Sequence, residues 1–316
     1  MRYKIIVNPL AGRGFGQKAV PQIQHFLAAQ GLDFEVEITA WAGHAIELAR
    51  QAVLDGFETV VAAGGDGTFQ EVINGMIAAA DSDPATKGQV VGDLGVIPVG
   101  SGSDFAWSVD VPFDLEAACA VLARHQTKVI DVGRVTVDNP VEGGAATRYF
   151  DNNVGIGFEG VVTLEARRFK RLRGIALYLP VVLRSVFVVA KAARAVVEFQ
   201  GEHGTERREG QFLMIDACNG GRAGGSFFIA PNAKSDDGLL DLCLLQDMSR
   251  FKMLGMIPQF LRGTHVHHPS VTTLRSRHMV VTSADNLIAH TDGEMLCTEG
   301  HRIECEIVSQ RVRVVC

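Results

Sequence analysis

Residues 64–68 read Gly-Gly-Asp-Gly-Thr and lie between an apolar segment, 59–63, and a segment with helical periodicity, 70–76. The apolar segment predicts a buried parallel strand, and the periodic segment predicts the helix that follows it. Glycines let the backbone approach an anion closely, and the N–H groups at the start of a helix attract phosphate. The pentapeptide therefore predicts a phosphate-binding loop, with a tight turn that simply requires glycine as the alternative.

Asp66 is the charged member of this loop. A carboxylate beside a polyphosphate is repelled unless a magnesium ion or a substrate hydroxyl lies between the two groups. The presence of Asp66 therefore favours catalysis or metal handling as the role of the loop.

The first 130 residues alternate between strand and helix signals, which predicts a doubly wound parallel sheet. Ligands of such sheets bind beyond the carboxyl ends of the strands, where the segment at 8–9, Thr39, the loop at 64–68 and the segment at 100–104 all fall. We therefore expect these loops to converge on one crevice. The predicted strands are residues 4–8, 34–39, 59–63 and 94–98, and the predicted helices are residues 17–30, 43–54, 71–80 and 115–124.

After residue 133 the sequence pattern changes to short runs of alternating apolar and polar residues separated by glycines. This pattern predicts a β-rich, antiparallel, sandwich-like second domain. We place the domain boundary so that residues 1–132 form the α/β domain and residues 133–316 form the β-rich domain. The active site is expected in the cleft between them. The predicted strands of the second domain are residues 135–137, 148–154, 211–218, 239–245 and 278–282.

Composition excludes several classes of protein. The net charge is −6 and the pI is about 5.9, so the chain lacks the overall positive charge that is typical of nucleic-acid-binding proteins. Six scattered cysteines without a C-x-x-C pair indicate reduced thiols, and the histidines at 265–268 lack the companions of a zinc site. The first eight residues read as a strand rather than a signal peptide, which predicts a cytoplasmic protein.

One segment of the second half suggests a membrane surface. Residues 167–173 carry five cations, and the apolar run at 175–189 is too short to span a bilayer and is interrupted by Pro180 and Arg184. A basic helix beside an apolar one can lie on anionic head groups, on the inner face of the membrane. A helix packed on the sheet with a solvated basic end is an equal alternative.

Five segments of the chain occur in the order and spacing of one family. The chain resembles the diacylglycerol kinase catalytic-domain family, in particular the soluble lipid kinases of bacteria, with sphingosine kinases as relatives. The segments are Asn-Pro-Leu-Ala-Gly-Arg-Gly at 8–14, Gly-Gly-Asp-Gly-Thr at 64–68, Pro-Val-Gly-Ser-Gly-Ser-Asp-Phe-Ala at 98–106, Ala-Lys-Ser-Asp-Asp-Gly-Leu-Leu-Asp at 233–241 and Thr-Asp-Gly-Glu at 291–294.

The resemblance implies an ATP-dependent, magnesium-requiring kinase of lipid metabolism that phosphorylates a hydroxyl of a diacylglycerol-like or long-chain lipid at a membrane surface. It assigns nucleotide binding to residues 1–132 and binding of the lipid substrate and magnesium to residues 133–316. It also assigns the general base to Glu294 and a catalytic role to Asp66. A magnesium-associated loop falls on Asp237 and on the carbonyl groups of Lys234 and Leu239. A homodimer is left open. The expected nucleotide-binding residues are Asn8, Arg13, Thr39, Gly64, Gly65, Asp66, Gly67, Thr68, Phe69, Gln70 and Ser101.

The chain departs from the family pattern at three positions. Ala11 stands where serine is common, Ser103 where asparagine is usual, and His290 where glutamine is frequent. The first two positions concern phosphate contacts, and the third concerns the acceptor side.

Two other functions remain as alternatives. NAD kinases share a Gly-Gly-Asp-Gly-Thr loop and a similar two-domain plan, and a non-catalytic nucleotide or lipid sensor can retain a kinase fold. A Gly-x-Gly-x-x-Gly motif at 155–160 resembles a dinucleotide-binding loop but lies outside a βαβ unit. No P-loop sequence occurs, which argues against a P-loop kinase.

Overall fold

A computed structural model describes residues 1–100, 102–166, 180–189, 191–201 and 204–316. Its helices are α1 Ala11–Ala29, α2 His44–Leu54, α3 Asp66–Ser82, α4 Asp104–Ser108, α5 Leu115–Arg124, α6 Phe158–Ala166 and α7 Arg250–Arg262. Its strands are β1 Arg2–Val7, β2 Asp33–Ile38, β3 Thr59–Gly64, β4 Val91–Pro98, β5 Thr127–Val137, β6 Thr147–Phe150, β7 Asn153–Gly157, β8 Ala193–Gly201, β9 Gly204–Cys218, β10 Arg222–Ala223, β11 Phe227–Phe228, β12 Leu240–Gln246, β13 Val271–Ser276, β14 His278–Thr291 and β15 Glu294–Val315.

The chain divides into two compact units at the junction of Val132 and Gly133. The first unit is Met1–Val132 together with Ser309–Cys316, and the second unit is Gly133–Val308. The last eight residues therefore belong to the first unit, whereas the sequence analysis assigned them to the second. They return because residues 312–314 of β15 pair in parallel with β4.

The first unit contains a parallel sheet in the order β2-β1-β3-β4-β15. Strands β2 and β3 flank β1 on opposite sides, so the direction of winding reverses at β1. In sheets of this kind the crevice outside the carboxyl ends of the strands at the reversal point is the usual ligand site. Here that point is formed by the ends of β1 and β3.

Close packing of helices on this sheet depends on small residues. The buried face of α2 consists of alanines, and a methyl group on Gly75 of α3 would come within 2.3 Å of the Ile46 carbonyl oxygen. The two helices therefore pack with backbone nearly in contact. Strand β3, which carries the glycine loop at its end, is buried along its whole length.

The second unit is built on antiparallel strands in the order β13-β12-β9-β7-β14-β15, and β8 pairs with both β9 and β14. Apolar side chains from these strands form one core cluster. A second cluster forms where helices α6 and α7 and the helical residues 180–189 pack on the sheet. The predicted fold class, an α/β first domain and a β-rich sandwich-like second domain, is confirmed.

No helix among the described residues is both long enough and apolar enough to cross a membrane.

Candidate active site

The ends of β1 and β3 are joined by a side-chain hydrogen bond. Asn8 follows β1, and its Nδ2 donates to Oγ1 of Thr68 at 3.0 Å. Its Oδ1 accepts the N–H of Leu10, also at 3.0 Å, and this bond shapes the loop that begins there. Thr68 is buried in the first turn of α3. The two segments that the sequence analysis assigned to phosphate binding are thus in direct contact at the reversal point of the sheet.

Glycines let three loops approach each other without side chains between them. A methyl group on Gly64 would lie 2.3 Å from Thr68 Oγ1, and one on Gly100 would lie 2.5 Å from the α-carbon of Gly65. A methyl group on Gly12 would lie 2.4 Å from the carbonyl oxygen of Val99. The loops after β1, β3 and β4 therefore form one continuous backbone surface. Such a surface suits a phosphate chain because its N–H groups can approach the anion closely.

Asp66 links this surface to the next helix. Its Oδ1 accepts the N–H of Phe105 at 3.0 Å, at the start of α4. Asp66 is also an acidic residue in the first turn of α3, where the helix dipole stabilises negative charge. The carboxylate is therefore held in place by the loop after β4, a contact that sequence spacing alone did not reveal.

Residues 12–14 interrupt α1 near its start with a non-helical, loop-like backbone. Gly12, Arg13 and Gly14 all lie in the left-handed region, with φ of 55°, 59° and 84°. A left-handed non-glycine residue is uncommon, and here it leaves the Arg13 side chain exposed beside Gly12 and its Val99 contact. An exposed guanidinium next to a phosphate surface suits pairing with phosphate oxygens.

The other predicted nucleotide residues lie around this surface in different roles. Thr39 is buried at the end of β2, where its N–H donates to the Val7 carbonyl oxygen at 2.9 Å. Phe69 and Gln70 are also buried, and the Phe69 ring contacts that of Phe105 in the core. Only their backbone groups can therefore face a nucleotide without rearrangement. Ser101 lies outside the described residues.

We expect a Gly100→Ala variant to weaken nucleotide binding strongly, because its methyl group would push the loop after β4 away from Gly65. Nucleotide affinity is measured by isothermal titration alongside circular dichroism. The control is Gly92→Ala near the start of β4, where the nearest atom is 3.8 Å from the added methyl group. Equal affinity of the two variants would show that the contact does not shape a nucleotide site.

In the second unit, Glu294 follows a tight hairpin turn. Asp292 and Gly293 connect β14 to β15, with φ of 47° and 83°, and Thr291 pairs with Glu294 across the turn. Positive φ at both central residues is characteristic of a type I′ turn. Glu294 itself is exposed, so its carboxylate can meet a substrate.

Asp292 is the anchor of this turn rather than an exposed acid. Its carboxylate accepts the N–H groups of Asp151, Asn152 and Asn153 at 3.2, 3.2 and 2.8 Å. Burial raises the pKa of Asp292, while these three donors favour its ionised form. The turn that presents Glu294 is therefore fixed to the start of β7.

Asp237 is held by two groups in the second unit. Its Oδ1 accepts the N–H of Leu239 at 3.2 Å, and its Oδ2 forms an ion pair with the guanidinium of Arg275. Arg275 lies directly opposite Asp241 in the pairing of β12 with β13, and its Nε is 3.7 Å from Asp241 Oδ2. The Arg275 guanidinium therefore forms ion pairs with the carboxylates of both Asp237 and Asp241.

Comparison with known proteins identifies the family. A model described as the diacylglycerol kinase catalytic domain matches residues 2–135, and one described as the YegS C-terminal NAD kinase beta sandwich-like domain matches residues 152–316. A diacylglycerol kinase of Mycobacterium tuberculosis is 30% identical over 295 residues, covering 92% of this chain and 88% of that protein. The chain belongs to the diacylglycerol kinase family. As a member, it is a phosphotransferase of the lipid kinase class with an alcohol group as acceptor.

Two solved structures resemble the fold. A diacylglycerol kinase of Bacillus anthracis superposes with a TM-score of 0.71 at 19% identity, covering 99% of this chain and 96% of that one. Yeast NADH kinase superposes with a TM-score of 0.55 at 10% identity, covering 100% and 83% of the two chains. The resemblance to NAD kinases that the sequence analysis weighed is therefore one of fold, whereas the family is that of the lipid kinases.

Enzymes that transfer phosphoryl groups use magnesium to neutralise phosphate charge. Two places in this chain are candidates for holding such an ion. At Asp66 the fit is good, because a carboxylate stands beside the backbone surface formed by the three glycine loops, which suits a phosphate chain. At Lys234, Asp237 and Leu239, where the resemblance places a magnesium ion, the fit is poor. Asp237 is already paired with Arg275, and a guanidinium in contact with this carboxylate repels a second cation. Among the described residues, no group of three or more acidic, histidine or cysteine side chains is arranged to hold a metal.

We therefore expect magnesium to leave the melting temperature of the nucleotide-free protein unchanged. An Arg275→Gln variant removes the guanidinium that is paired with Asp237. We expect magnesium to raise the melting temperature of this variant and a chelator to reverse that rise. Thermal melting with and without each additive measures both effects. The control is Arg313→Gln, which breaks a similarly exposed pair with Asp93. A rise in the melting temperature of the wild-type protein with magnesium that an Asp237→Asn variant abolishes would place the ion in this loop despite Arg275.

Proposed function

We propose that this chain transfers the γ-phosphate of ATP to a hydroxyl group of a diacylglycerol-like or long-chain lipid. The observation that carries the proposal is the contact of three glycine loops at the reversal point of the parallel sheet, with Asp66 at their centre. Phosphoryl transfer requires positioning and charge neutralisation more than covalent chemistry. A backbone surface of this kind supplies positioning, and a helix start supplies N–H groups that the helix does not bond internally.

Each residue then has a defined task. The loops at 12–14 and 64–68 and Gly100 hold the phosphates, and Arg13 pairs with their oxygens. Asn8 keeps Thr68 in place through the 3.0 Å hydrogen bond between them. Magnesium bound with the nucleotide neutralises phosphate charge, and Asp66 is the carboxylate placed to orient that complex. Glu294 accepts the proton of the lipid hydroxyl.

The test is incubation of the protein with labelled ATP, magnesium and a total lipid extract, followed by identification of the product. We expect a labelled phospholipid whose phosphate is attached to a former hydroxyl group. A parallel reaction with NAD in place of lipid separates this function from that of an NAD kinase. Labelled NADP in that reaction, with no labelled lipid in the first, would contradict the proposal.

A lipid acceptor is nearly insoluble, so we also propose that the protein works at a membrane surface. The cations that the sequence analysis assigned to membrane contact, at 167–173, lie outside the described residues. Among the described residues, Phe251 is the most exposed large apolar side chain at 80%, and it lies between the exposed cations Arg250 and Lys252 at the start of α7. Each cation near an anionic surface contributes about 1 kcal/mol of attraction.

The neighbouring helical segment adds apolar surface. Leu183 and Phe187 are exposed four residues apart, whereas Val186 packs into one core cluster with Met253 and Met256 of α7. The helical residues 180–189 and helix α7 therefore both present exposed apolar side chains, as an amphipathic membrane-binding surface does.

We expect Phe251→Asp to weaken sedimentation with anionic vesicles and to slow turnover on vesicle-borne lipid. Turnover on a short-chain dispersed analogue should be spared, because the transfer site is untouched. The control is Phe113→Asp in the first unit, where the side chain is 57% exposed. If both variants sediment as the wild type does, α7 does not contact the membrane.

A further inference from the structure

The Gly-x-Gly-x-x-Gly motif at 155–160 has a structural purpose unrelated to dinucleotides. A methyl group on Gly155 would lie 2.3 Å from Glu159 Oε2 and 2.6 Å from His290 Nε2. A methyl group on Gly160 would lie 2.4 Å from the carbonyl oxygen of Ile288. The glycines therefore let α6 approach β14 closely and leave room for Glu159 to reach His290.

Glu159 and His290 form a nearly buried pair. The His290 Nε2 is 3.2 Å from Glu159 Oε2, and the same carboxylate oxygen accepts the Nδ2–H of Asn153 at 2.9 Å. The His290 side chain is only 6% exposed. An ionisable pair at this depth is retained only where hydrogen bonds satisfy it, and here both members have them.

The second nitrogen of His290 reaches the turn that carries Glu294. The Gly293 N–H donates to His290 Nδ1 at 3.3 Å. Because Nδ1 accepts, the proton of the neutral ring is on Nε2, which donates to Glu159. Glu159 therefore sets the tautomer that lets His290 support Gly293, one residue before Glu294.

We propose that Glu159 and His290 are positioning residues that fix the Asp292–Gly293 turn and so direct the Glu294 carboxylate. This inference rests on the proposed role of Glu294 as base. Asp292 fixes the turn to the start of β7, and His290 fixes it from its own strand. With both contacts made, the carboxylate approaches the lipid hydroxyl from a defined direction.

Asp216 is a second buried carboxyl group that interacts with Glu159. It lies on β9, is fully buried, and burial raises its pKa well above the ordinary range, with the Glu159 charge adding to the effect. Burial also opposes ionisation of Glu159, but the hydrogen bonds from His290, Asp216 and Asn153 hold the pKa of Glu159 below its ordinary value. Glu159 is therefore the carboxyl group that favours its charged form beside the imidazole, and Asp216 is the one that favours its neutral form.

The first experiment needs no activity. Nitrogen-15 NMR of the wild-type protein is expected to show His290 as the tautomer protonated at Nε2. In Glu159→Gln the fraction of this tautomer should fall, and the Gly293 amide should exchange with solvent faster. A wild-type ring protonated at Nδ1 would overturn the inference, because Nδ1 could then not accept from Gly293.

The second experiment compares turnover. His290→Leu is expected to lower kcat by about 10²-fold, the scale of a misplaced catalytic group, with an unchanged KM for ATP. His290→Gln should recover most of this loss, since an amide can both accept from Gly293 and donate to Glu159. The control is His278→Leu, which lies in the same strand and pairs with Glu304 at 2.7 Å, away from the turn.

These outcomes separate the inference from the proposed function. A wild-type protein that phosphorylates no lipid would contradict the function, while the NMR result would still decide whether Glu159 and His290 hold the turn. An active wild type with full kcat in folded His290→Leu would overturn the inference and leave the function standing. If His290→Leu does not fold, Glu159→Gln replaces it in the kinetic comparison, with the same expectation.

Discussion

An Asp66→Ala variant is expected to lose phosphoryl transfer by about 10³-fold or more, the scale on which removal of a preorganised electrostatic group acts, while keeping its native circular dichroism spectrum. Asp66 lies at the start of α3 among glycines, outside the apolar core, so its removal leaves no cavity in that core. Its loss removes the carboxylate at the centre of the three loops and the acceptor for the Phe105 N–H. Turnover and circular dichroism measured on the same sample test the expectation.

Asp66→Asn separates the two roles of this side chain. The amide oxygen can still accept the N–H of Phe105, whereas the negative charge is gone. If the charge carries the function, Asn should be almost as inactive as Ala. Recovery of activity in Asp66→Asn would mean that Asp66 acts by holding the loop before α4. Near-normal activity in folded Asp66→Ala would remove Asp66 from the site altogether.

The first unit was largely predictable because its signals are local. Apolar runs of strand length alternate with amphipathic segments, and each parallel strand must be followed by a crossover before the next one. The convergence of the loops at 8–14, 64–68 and 98–106 follows from this topology. The extent of α3 did not follow, because glycines are poor helix formers and the helix begins at Asp66 rather than near residue 70.

Several features of the site depend on partners distant in the sequence and were not predictable. Arg275 lies 38 residues from Asp237, and Glu159 lies 131 residues from His290. The antiparallel pairing of β12 with β13, and of β7 with β14, brings together the segments that carry these side chains. Strand register cannot be derived from the composition of either partner alone. His290 had already stood out as a departure from the family pattern, and the glycines at 155–160 had been set aside as a look-alike motif. Only their contact in space shows that they belong together.

The return of residues 309–316 to the first unit has the same cause. A parallel strand at the end of the chain has the same alternating apolar pattern as any other strand. This pattern does not identify β4 as the strand with which it pairs. The sequence therefore predicted where the first unit is interrupted but not that the chain comes back to complete its sheet.

A Glu294→Gln variant is expected to lower kcat by about 10²- to 10⁴-fold, the usual contribution of a general base, with little change in nucleotide affinity. Glutamine keeps the size and hydrogen bonding of the side chain but cannot accept the proton of the lipid hydroxyl. The turn should survive the substitution, because it is held by Asp292 and His290 rather than by Glu294.

Glu299→Gln is the matched control, since it removes an exposed carboxylate from the same strand, five residues beyond the turn. It is expected to behave as the wild type does. Rate at saturating substrate and nucleotide affinity must be measured separately for each variant, because KM equals a dissociation constant only when chemistry is slow. If Glu294→Gln lost nucleotide affinity and kept its rate at saturation, Glu294 would be a binding residue, and the base would have to be sought elsewhere. A lower rate with intact affinity leaves proton transfer as the step that this carboxylate serves.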